Sequence, residues 1–185
     1  MGLLSIIRKQ KIKDHEVRVL VLGLDNSGKT SIIKRWKHED WTTISPTMGF
    51  EISTLQYQDF TLNLWDIGGQ TSLRTFWSNY FDKTNVVVWV VDCMSMERIQ
   101  ESYEELRDKV IQQDRLVAVS LLILMNKIDL LEATKVEETK QQIVGLLELE
   151  SQLPLEKWQI IAVSAVTGQG TETAIEWIIR QEYEP

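Results

Sequence analysis

The chain of 185 residues contains one cysteine and two histidines. An intramolecular disulfide is therefore impossible, and one cysteine with two histidines makes no plausible zinc site. Cys93 lies at the end of the apolar run 86–91, so we expect it to be a small buried side chain rather than a reactive thiol. A chain without disulfides fits a reducing compartment, and we expect a cytoplasmic protein.

The sequence has no repeats, and no apolar run approaches the roughly 18 residues that span a bilayer. The formal net charge of −7 argues against broad nucleic-acid binding. Residues 1–13 carry four basic side chains and no acid, which leaves −11 on the other 172 residues. We therefore predict an amphipathic N-terminal arm over residues 1–15 and one globular domain over residues 16–185, and we expect a monomer.

Short apolar runs alternate with amphipathic stretches along the chain. Residues 50–57 and 60–65 alternate apolar and polar side chains, which predicts a β-hairpin. The pattern as a whole predicts an α/β domain with a mostly parallel six-stranded sheet and helices on both faces. Continuous apolar runs predict buried strands over 17–22, 86–91, 117–125 and 158–163. Helical periodicity predicts helices over 29–37, 96–113, 136–147 and 171–182.

The segment 23–30, Gly-Leu-Asp-Asn-Ser-Gly-Lys-Thr, follows the first predicted strand and fits G-x-x-x-x-G-K-[ST] at every fixed position. Glycines let the backbone curl so that successive N–H groups converge on a phosphate, and the following helix adds its positive N-terminus. We expect Lys29 to reach the outer phosphates and Thr30 to bind Mg²⁺. A plain glycine turn rarely matches the whole pattern by chance. The phosphate-binding candidates are Gly23, Asp25, Asn26, Ser27, Gly28, Lys29 and Thr30.

A second polar motif, Asn126-Lys127-Ile128-Asp129, follows the run 117–125. The Asp129 carboxylate can accept both the N1–H and the N2–H of guanine, whereas adenine offers no such pair of donors. Asn126 would tie this motif to the phosphate loop, and the stem of Lys127 would lie along the base. Alone, this four-residue motif has little specificity. Its position about 100 residues after a phosphate loop makes guanine binding the favoured interpretation. Ser164 and Ala165, after the last strand, could add a backbone N–H to guanine O6.

The segment 65–70, Trp-Asp-Ile-Gly-Gly-Gln, follows the second strand of the hairpin. Asp66 is placed to hold Mg²⁺, directly or through water. The Gly69 amide could contact the γ-phosphate, and Gln70 could orient the attacking water as the catalytic residue. Thr47, in the loop before the hairpin, is the candidate for a second hydroxyl on Mg²⁺. The alternative is that this segment has only a structural role, as a strand that ends in a Gly-Gly turn.

These motifs resemble those of small GTPases of the ADP-ribosylation factor family, and the resemblance covers nearly the whole chain. Its distinctive pieces are Gly23-Leu24-Asp25, Pro46-Thr47-Met48-Gly49-Phe50, the segment 65–70, Arg74 with Trp77 and Tyr80, and the segment 164–168. The resemblance implies a P-loop GTPase fold, with residues 16–185 as the GTP-binding domain. It implies GTP or GDP with Mg²⁺ as the bound groups.

The resemblance further implies two switch segments, residues 38–50 and 66–80, that are ordered by the γ-phosphate and released on hydrolysis. Through them the chain would bind effector, activating and exchange proteins, with Phe50, Trp65 and Tyr80 as the aromatic contacts. The family has no arginine in cis for the transition state, which implies slow intrinsic hydrolysis. The opening residues 1–4 and the segment 24–26 are similar to a branch associated with tubulin-folding cofactor D and microtubules. That branch is also associated with release of lipidated cargo from phosphodiesterase-delta-like carriers.

Many relatives carry a myristoyl chain on Gly2, and that acceptor pattern requires Ser or Thr at position six. Here Ile6 occupies that position, so we predict no myristoylation. The apolar and basic residues of the arm could form a short amphipathic helix on a membrane or on the body of the protein. We favour the body, and expect membrane contact to be weak or absent.

Three functions fit these motifs to different degrees. The first is a regulatory GTPase, in which Gln70 positions water. The second is a binding module that holds GTP without meaningful turnover, and Gln70 argues against it. The third is a P-loop kinase or ATPase, which would need an acceptor site or an arginine-rich lid that the sequence does not offer, and Asp129 disfavours adenine.

Overall fold

The protein, described over residues 15–183 by a computed structural model, is built on a six-stranded sheet in the order β2-β3-β1-β4-β5-β6. Only β2 runs antiparallel, paired with β3, and every other neighbouring pair is parallel. The predicted arm, residues 1–15, lies outside the described residues except for His15. The strands are β1 (Glu16–Gly23), β2 (Phe50–Tyr57), β3 (Phe60–Ile67), β4 (Val86–Asp92), β5 (Ser120–Asn126) and β6 (Trp158–Ala162).

Helices cover both faces of this sheet, so the predicted α/β architecture is confirmed. Among residues 15–183, no helix has the length and apolar character needed to cross a bilayer. The α-helices are α1 (Lys29–Trp36), α2 (Thr71–Arg74), α3 (Ile99–Leu106), α4 (Val136–Leu146), α5 (Leu149–Gln152) and α6 (Thr171–Tyr183). Short 3₁₀ turns are Trp77–Tyr80, Met96–Arg98, Asp114–Leu116, Ile128–Leu130, Ala133–Lys135 and Leu155–Lys157, and Arg107–Ile111 is a π-helical turn.

Two predicted boundaries are wrong. The strand predicted over 117–125 begins only at Ser120, because Asp114–Leu116 forms a turn that leaves Val117 72% exposed. The helix predicted over 96–113 is a series of three helical types, with an α-helical part limited to Ile99–Leu106. Apolar content alone does not mark where a backbone hydrogen-bond ladder starts or changes its period.

The sheet separates two apolar cores. On one face α1 and α6 pack against alternating residues of the central strands, with Ile32, Trp36 and Ile178 fully or almost fully buried. On the other face α3, α4 and the turn Trp77–Tyr80 cover Leu20, Trp89 and Ile123 among others. Strands β4 and β5 are buried on both faces, which explains why each is a continuous apolar run in the sequence.

The strand register brings the polar motifs to one edge of the sheet. Asp66 of β3 pairs with Val21, two residues before the end of β1, and Asp92 of β4 pairs directly with Asn126 of β5. Because parallel strands end at the same edge, the segments that follow β1, β3, β4 and β5 meet there. This is the edge at which α/β sheets bind ligands.

We predict that Ile178→Ala lowers the free energy of unfolding by about 2–5 kcal/mol, since it leaves a cavity between α6 and the sheet. Urea unfolding measures this change. Leu155→Ala is the control, because Leu155 is 72% exposed and its truncation should cost less than about 0.5 kcal/mol. Equal losses in both variants would contradict the described core.

Candidate functional site

The loop 23–28 connects β1 to α1 and forms the centre of the site. Gly28 has φ +98°, in the left-handed region, and a Cβ at this position would collide with the side-chain amide of Asn126. Glycine is therefore required twice, for the backbone conformation and for the close approach.

The Lys29 ammonium turns back over this loop. It donates to the carbonyls of Gly23, at 3.1 Å, and Leu24, at 2.9 Å. The side chain is buried, and burial lowers the pKa of Lys29 to about 8, although the nearby charge of Asp66 acts in the opposite direction. A phosphate would provide the anionic partner that this buried ammonium needs.

Every carbonyl of residues 23–27 accepts a hydrogen bond from a side chain. The N–H of a trans peptide points away from its C=O. Arg98, Lys127 and Asn126 do not line the phosphate cavity. Holding the carbonyls of residues 25–27 from there favours N–H groups of residues 26–28 that point toward the cavity, as a phosphate requires. The pairs are Lys29 to Gly23 and Leu24, Arg98 to Asp25 (3.1 Å), Lys127 to Asn26 (2.9 Å) and Asn126 to Ser27 (3.0 Å).

Three oxygen ligands meet beside Lys29. Thr30 Oγ1 donates to Asp66 Oδ2 at 2.5 Å, and Thr47 Oγ1 lies 3.2 Å from the same oxygen and 2.9 Å from Thr30 Oγ1. Asp66 is buried, and its Oδ1 has no hydrogen-bond partner among the described residues. Burial raises the pKa of Asp66, against the hydrogen bond from Thr30 and the charge of Lys29.

This cluster suits Mg²⁺, which takes oxygen ligands and keeps several waters. One buried carboxylate with an unsatisfied oxygen beside two hydroxyls matches that preference, and no group of three or more His, Cys, Asp or Glu side chains in residues 15–183 offers a denser metal site. When bound, Mg²⁺ neutralises phosphate charge. Thr30, Thr47 and Asp66 are the side chains that would hold it, which is the set predicted from the sequence.

Asn126 joins the two halves of the site. Its Nδ2 donates to the Ser27 carbonyl at 3.0 Å, and its Oδ1 accepts from the Ala165 N–H at 3.2 Å. The side chain is almost completely buried. One amide therefore fixes the phosphate loop and the segment after β6 relative to β5.

The Asp129 carboxylate is exposed at the same edge and is oriented by Ser164. Ser164 Oγ donates to Asp129 Oδ1 at 2.6 Å and accepts from the Thr167 N–H at 3.0 Å. The Ser164 N–H already donates to the Gln169 carbonyl. We therefore assign Ser164 to orienting Asp129. The Ala165 N–H is likewise engaged, by Asn126 Oδ1, so a backbone contact of this segment with guanine O6 stays a prediction.

Two residues that sequence reasoning missed complete this half of the site. Asp92 Oδ2 accepts from Lys127 Nζ at 2.6 Å and fixes that lysine across the site. Arg35 of α1 donates to the carbonyls of Ala165 and Val166. Asp92 had a sequence signal, since it is the first polar residue after a continuous apolar run. Arg35 had none, because its partners lie 130 and 131 residues away.

The glycines after β3 lie against the phosphate loop. A Cβ on Gly69 would approach the Asp25 nitrogen to 2.5 Å, and the Gly69 carbonyl accepts from the Asp25 N–H at 3.2 Å. The Gly68 N–H donates to the Gly49 carbonyl at 2.8 Å, which joins residues 38–50 to residues 66–80. Gln70 Oε1 is buried without a hydrogen-bond partner in residues 15–183.

The structure adds contacts of Asp25 to the nucleotide contact predicted for it, which stays a prediction. Its carboxylate accepts from Arg98 Nη2 at 2.9 Å and Arg74 Nη2 at 3.3 Å, and its N–H donates to Gly69. The hydrogen bond from Arg98 holds the pKa of Asp25 below its usual range. We assign Asp25 to pairing the loop with residues 66–80.

Phe50, Trp65 and Tyr80 form one aromatic cluster beside these segments. Ring centroids are 6.2 Å apart for Phe50 and Trp65, 5.2 Å for Phe50 and Tyr80, and 6.1 Å for Trp65 and Tyr80. The Arg18 guanidinium lies 3.8 Å from the Trp65 ring centroid. Phe50 is exposed, so the cluster presents an aromatic surface to solvent.

The phosphate half of the site encloses a cavity of about 410 Å³. Its walls are residues 25–26 and 28–31, residues 44–47 and residues 68–70, so Gln70 and Thr47 face the same space as Lys29 and Thr30. The residues predicted to read the base lie outside this cavity. They are joined to it through Asn126 and Lys127, which contact the back of the loop.

Comparison with known proteins matches this arrangement. The model of the ADP-ribosylation factor family matches residues 3–182. The chain is 44% identical to ADP-ribosylation factor-like protein 2 of Dictyostelium discoideum and 46% identical to that of Arabidopsis thaliana, covering 97% of this chain and 95% of each relative. It is 45% identical to ADP-ribosylation factor-like protein 3 of Chlamydomonas reinhardtii, over 98% of this chain and 99% of the relative.

Among solved structures, the chain is similar to the Arl6 BBS3 small GTPase of Trypanosoma brucei with the bound nucleotide analogue GppNp. The TM-score is 0.79 at 25% identity, over 90% of this chain and 97% of that one. The fold and the bound nucleotide of this neighbour agree with the site described above.

We predict that nucleotide binding draws a proton onto Lys29 at alkaline pH. With a pKa of about 8, burial leaves about one tenth of these side chains neutral at pH 7 and about three quarters at pH 8.5. Phosphate oxygens favour the ammonium, so the affinity for GDP should fall as the pH rises above 8. Calorimetric titration with GDP in two buffers of different ionisation heat measures the proton uptake.

The matched control is Lys29→Arg, since a guanidinium stays charged over this range. Its binding heats should show no increase in proton uptake between pH 7 and pH 8.5. Equal uptake by the unaltered protein at both values would contradict the lowered pKa.

Proposed function

The chain belongs to the ADP-ribosylation factor family of small GTPases, and we propose that this GTP-binding switch binds its partners through residues 38–50 and 66–80 while GTP is bound. It uses guanine nucleotide with Mg²⁺ and hydrolyses GTP to GDP and phosphate. The observation that carries the proposal is the contact of Thr47 with Thr30 and Asp66.

That contact supports a link between the phosphate site and the partner surface. Thr47 lies three residues before Phe50, and Gly49 accepts from the Gly68 N–H. Loss of the γ-phosphate would remove the ligand that draws Thr47 and Gly69 together. The aromatic cluster of Phe50, Trp65 and Tyr80 would then change its exposed surface.

Gln70 supports turnover rather than GTP binding alone. It faces the phosphate cavity, and its Oε1 has no hydrogen-bond partner within residues 15–183, so it is available to orient a water. Arg74 is buried against three carboxylates and is not available to the transition state. Intrinsic hydrolysis should therefore be slow, and an activating protein that supplies an arginine should accelerate it by roughly 10³–10⁵.

For the pathway, we propose that the chain acts in tubulin folding with tubulin-folding cofactor D, in the cytoplasm and in association with microtubules. Support comes from the similarity of residues 1–4 and 24–26 to that branch and from relatives named ADP-ribosylation factor-like protein 2. The lack of disulfides supports the cytoplasmic location. The alternative partners are carriers of lipidated cargo, and the capture experiment below includes them.

We predict that Asp129→Asn changes the base preference from guanine to xanthine. The amide can donate to the xanthine O2 and still accept from N1–H, whereas its NH₂ would face the N2–H₂ of guanine. We expect the ratio of GDP to XDP affinity to fall by about 10² or more. Competition for the purified chain measures this ratio, with Asp82→Asn, a surface carboxylate paired with Arg115, as the control. Unchanged guanine preference would rule out Asp129 as the base-reading group.

We predict that Gln70→Leu slows single-turnover GTP hydrolysis by about 10² and leaves GTP affinity within about twofold, because leucine keeps the volume but cannot orient water.

The partner proposal is tested by capturing partners with two forms of the chain, the Gln70→Leu protein loaded with GTP and the unaltered protein loaded with GDP. Purified cofactor D and a phosphodiesterase-delta-like carrier should each be tested against both forms. The proposal requires cofactor D to bind the GTP form better, and to lose that preference with Phe50→Ala. Binding of the carrier alone would favour the alternative.

A further inference from the structure

The Gly68-Gly69-Gln70 segment is held at both of its glycine carbonyls by buried side chains. Trp77 Nε1 donates to the Gly68 carbonyl at 3.1 Å, and Arg74 Nε donates to the Gly69 carbonyl at 2.8 Å. Both side chains come from the segment that follows these glycines, and both are almost completely buried.

These two carbonyls decide where two N–H groups point. The Gly68 carbonyl shares a peptide plane with the Gly69 N–H, and the Gly69 carbonyl shares one with the Gln70 N–H. Fixing each oxygen therefore fixes the direction of the N–H across its peptide bond. Glycine offers little conformational resistance of its own, so external contacts are needed to select one orientation.

Arg74 is itself held from two sides. Its guanidinium lies 2.8 Å from Glu101 and 3.2 Å from Glu105 of α3, and 3.3 Å from Asp25 of the phosphate loop. The side chain is 2% exposed, so these carboxylates compensate a charge that water cannot reach. The planar fork allows Nε to bond the Gly69 carbonyl while the terminal nitrogens bond the carboxylates. A lysine ammonium cannot reproduce that geometry.

Trp77 is equally constrained. Its ring packs edge-on against Trp89 of β4, with centroids 5.6 Å apart and an interplanar angle of 84°. The indole is fully buried in the core on the sheet face that α3 and α4 cover. The Gly68 carbonyl is therefore anchored to the rigid sheet, and the Gly69 carbonyl to the phosphate loop and α3.

We propose that Arg74 and Trp77 are positioning residues for the GTP-dependent step, because they aim the Gly69 N–H and the Gln70 backbone toward the γ-phosphate side of the cavity. The inference rests on the roles proposed above for Gly69 and Gln70. Neither side chain needs to touch the nucleotide. Each acts through a peptide group that GTP would contact and GDP would not.

The test uses conservative variants that remove one donor each. Arg74→Lys keeps the charge but loses the fork, and Trp77→Phe keeps an aromatic ring but loses the N–H. We expect each to lower the single-turnover hydrolysis rate on the order of tenfold, since small misplacements of reacting groups have large effects on rate. Affinity for GTP relative to GDP should fall roughly fivefold, while GDP affinity stays within about twofold.

Two matched controls separate positioning from general damage. Arg115→Lys removes a surface fork paired with Asp82. Trp158→Phe removes a buried indole N–H that has no hydrogen-bond partner among residues 15–183. Both should leave the hydrolysis rate and the ratio of GTP to GDP affinity within about twofold. The thermal midpoint of each GDP-bound variant is recorded as the measure of folding.

The outcomes discriminate between the inference and the function on which it rests. If the unaltered protein hydrolyses GTP and both variants match it, the inference fails and the function stands. If GDP affinity falls in parallel with the rate, the two residues are merely structural and the inference again fails. If the unaltered protein binds GTP without hydrolysing it, the proposed role of Gln70 in orienting water is wrong. In that case the effect of Arg74→Lys and Trp77→Phe on the ratio of GTP to GDP affinity still tests whether these side chains orient the Gly69 N–H.

Discussion

The hydrogen bonds that side chains donate to five consecutive carbonyls, those of residues 23–27, are the constraint on which the nucleotide site depends. A loop of N–H groups aimed at one point repels itself and needs opposing contacts to persist without an anion. Here the contacts are side chains from α1, from the turn before α3, and from the last residue of β5 and the residue that follows it. The phosphate loop is thus shaped by these side-chain donors as much as by its own glycines.

Side-chain donors also fix backbone carbonyls on the other side of the cavity. The carbonyls of Gly68 and Gly69 are held by Trp77 and Arg74, so that flexible glycine peptides acquire a fixed orientation. Asp25 links the two systems, because it accepts from Arg74 and Arg98 and donates its N–H to Gly69. The phosphate loop and residues 66–80 are therefore joined directly, through short and partly buried polar contacts.

The proposed partner surface is connected to the phosphate site by two contacts. Residues 38–50 reach the phosphate site through Thr47, and they reach residues 66–80 through the hydrogen bond between Gly49 and Gly68. The aromatic cluster lies where the two segments meet.

The sequence by itself determined the α/β class, the phosphate loop, the guanine-reading motif and the hydroxyl and carboxylate oxygens suited to Mg²⁺. Those signals are local, because each motif is a short run placed directly after a buried strand. Only the tertiary structure decided the partners of Asp25, the contacts of Asp92 and Arg35, and the anchoring of Gly68 and Gly69. The physical reason is that these hydrogen bonds either join residues up to 131 positions apart or depend on the direction in which a side chain points. The strand register and helix packing, and not any local pattern, bring such groups within reach of each other.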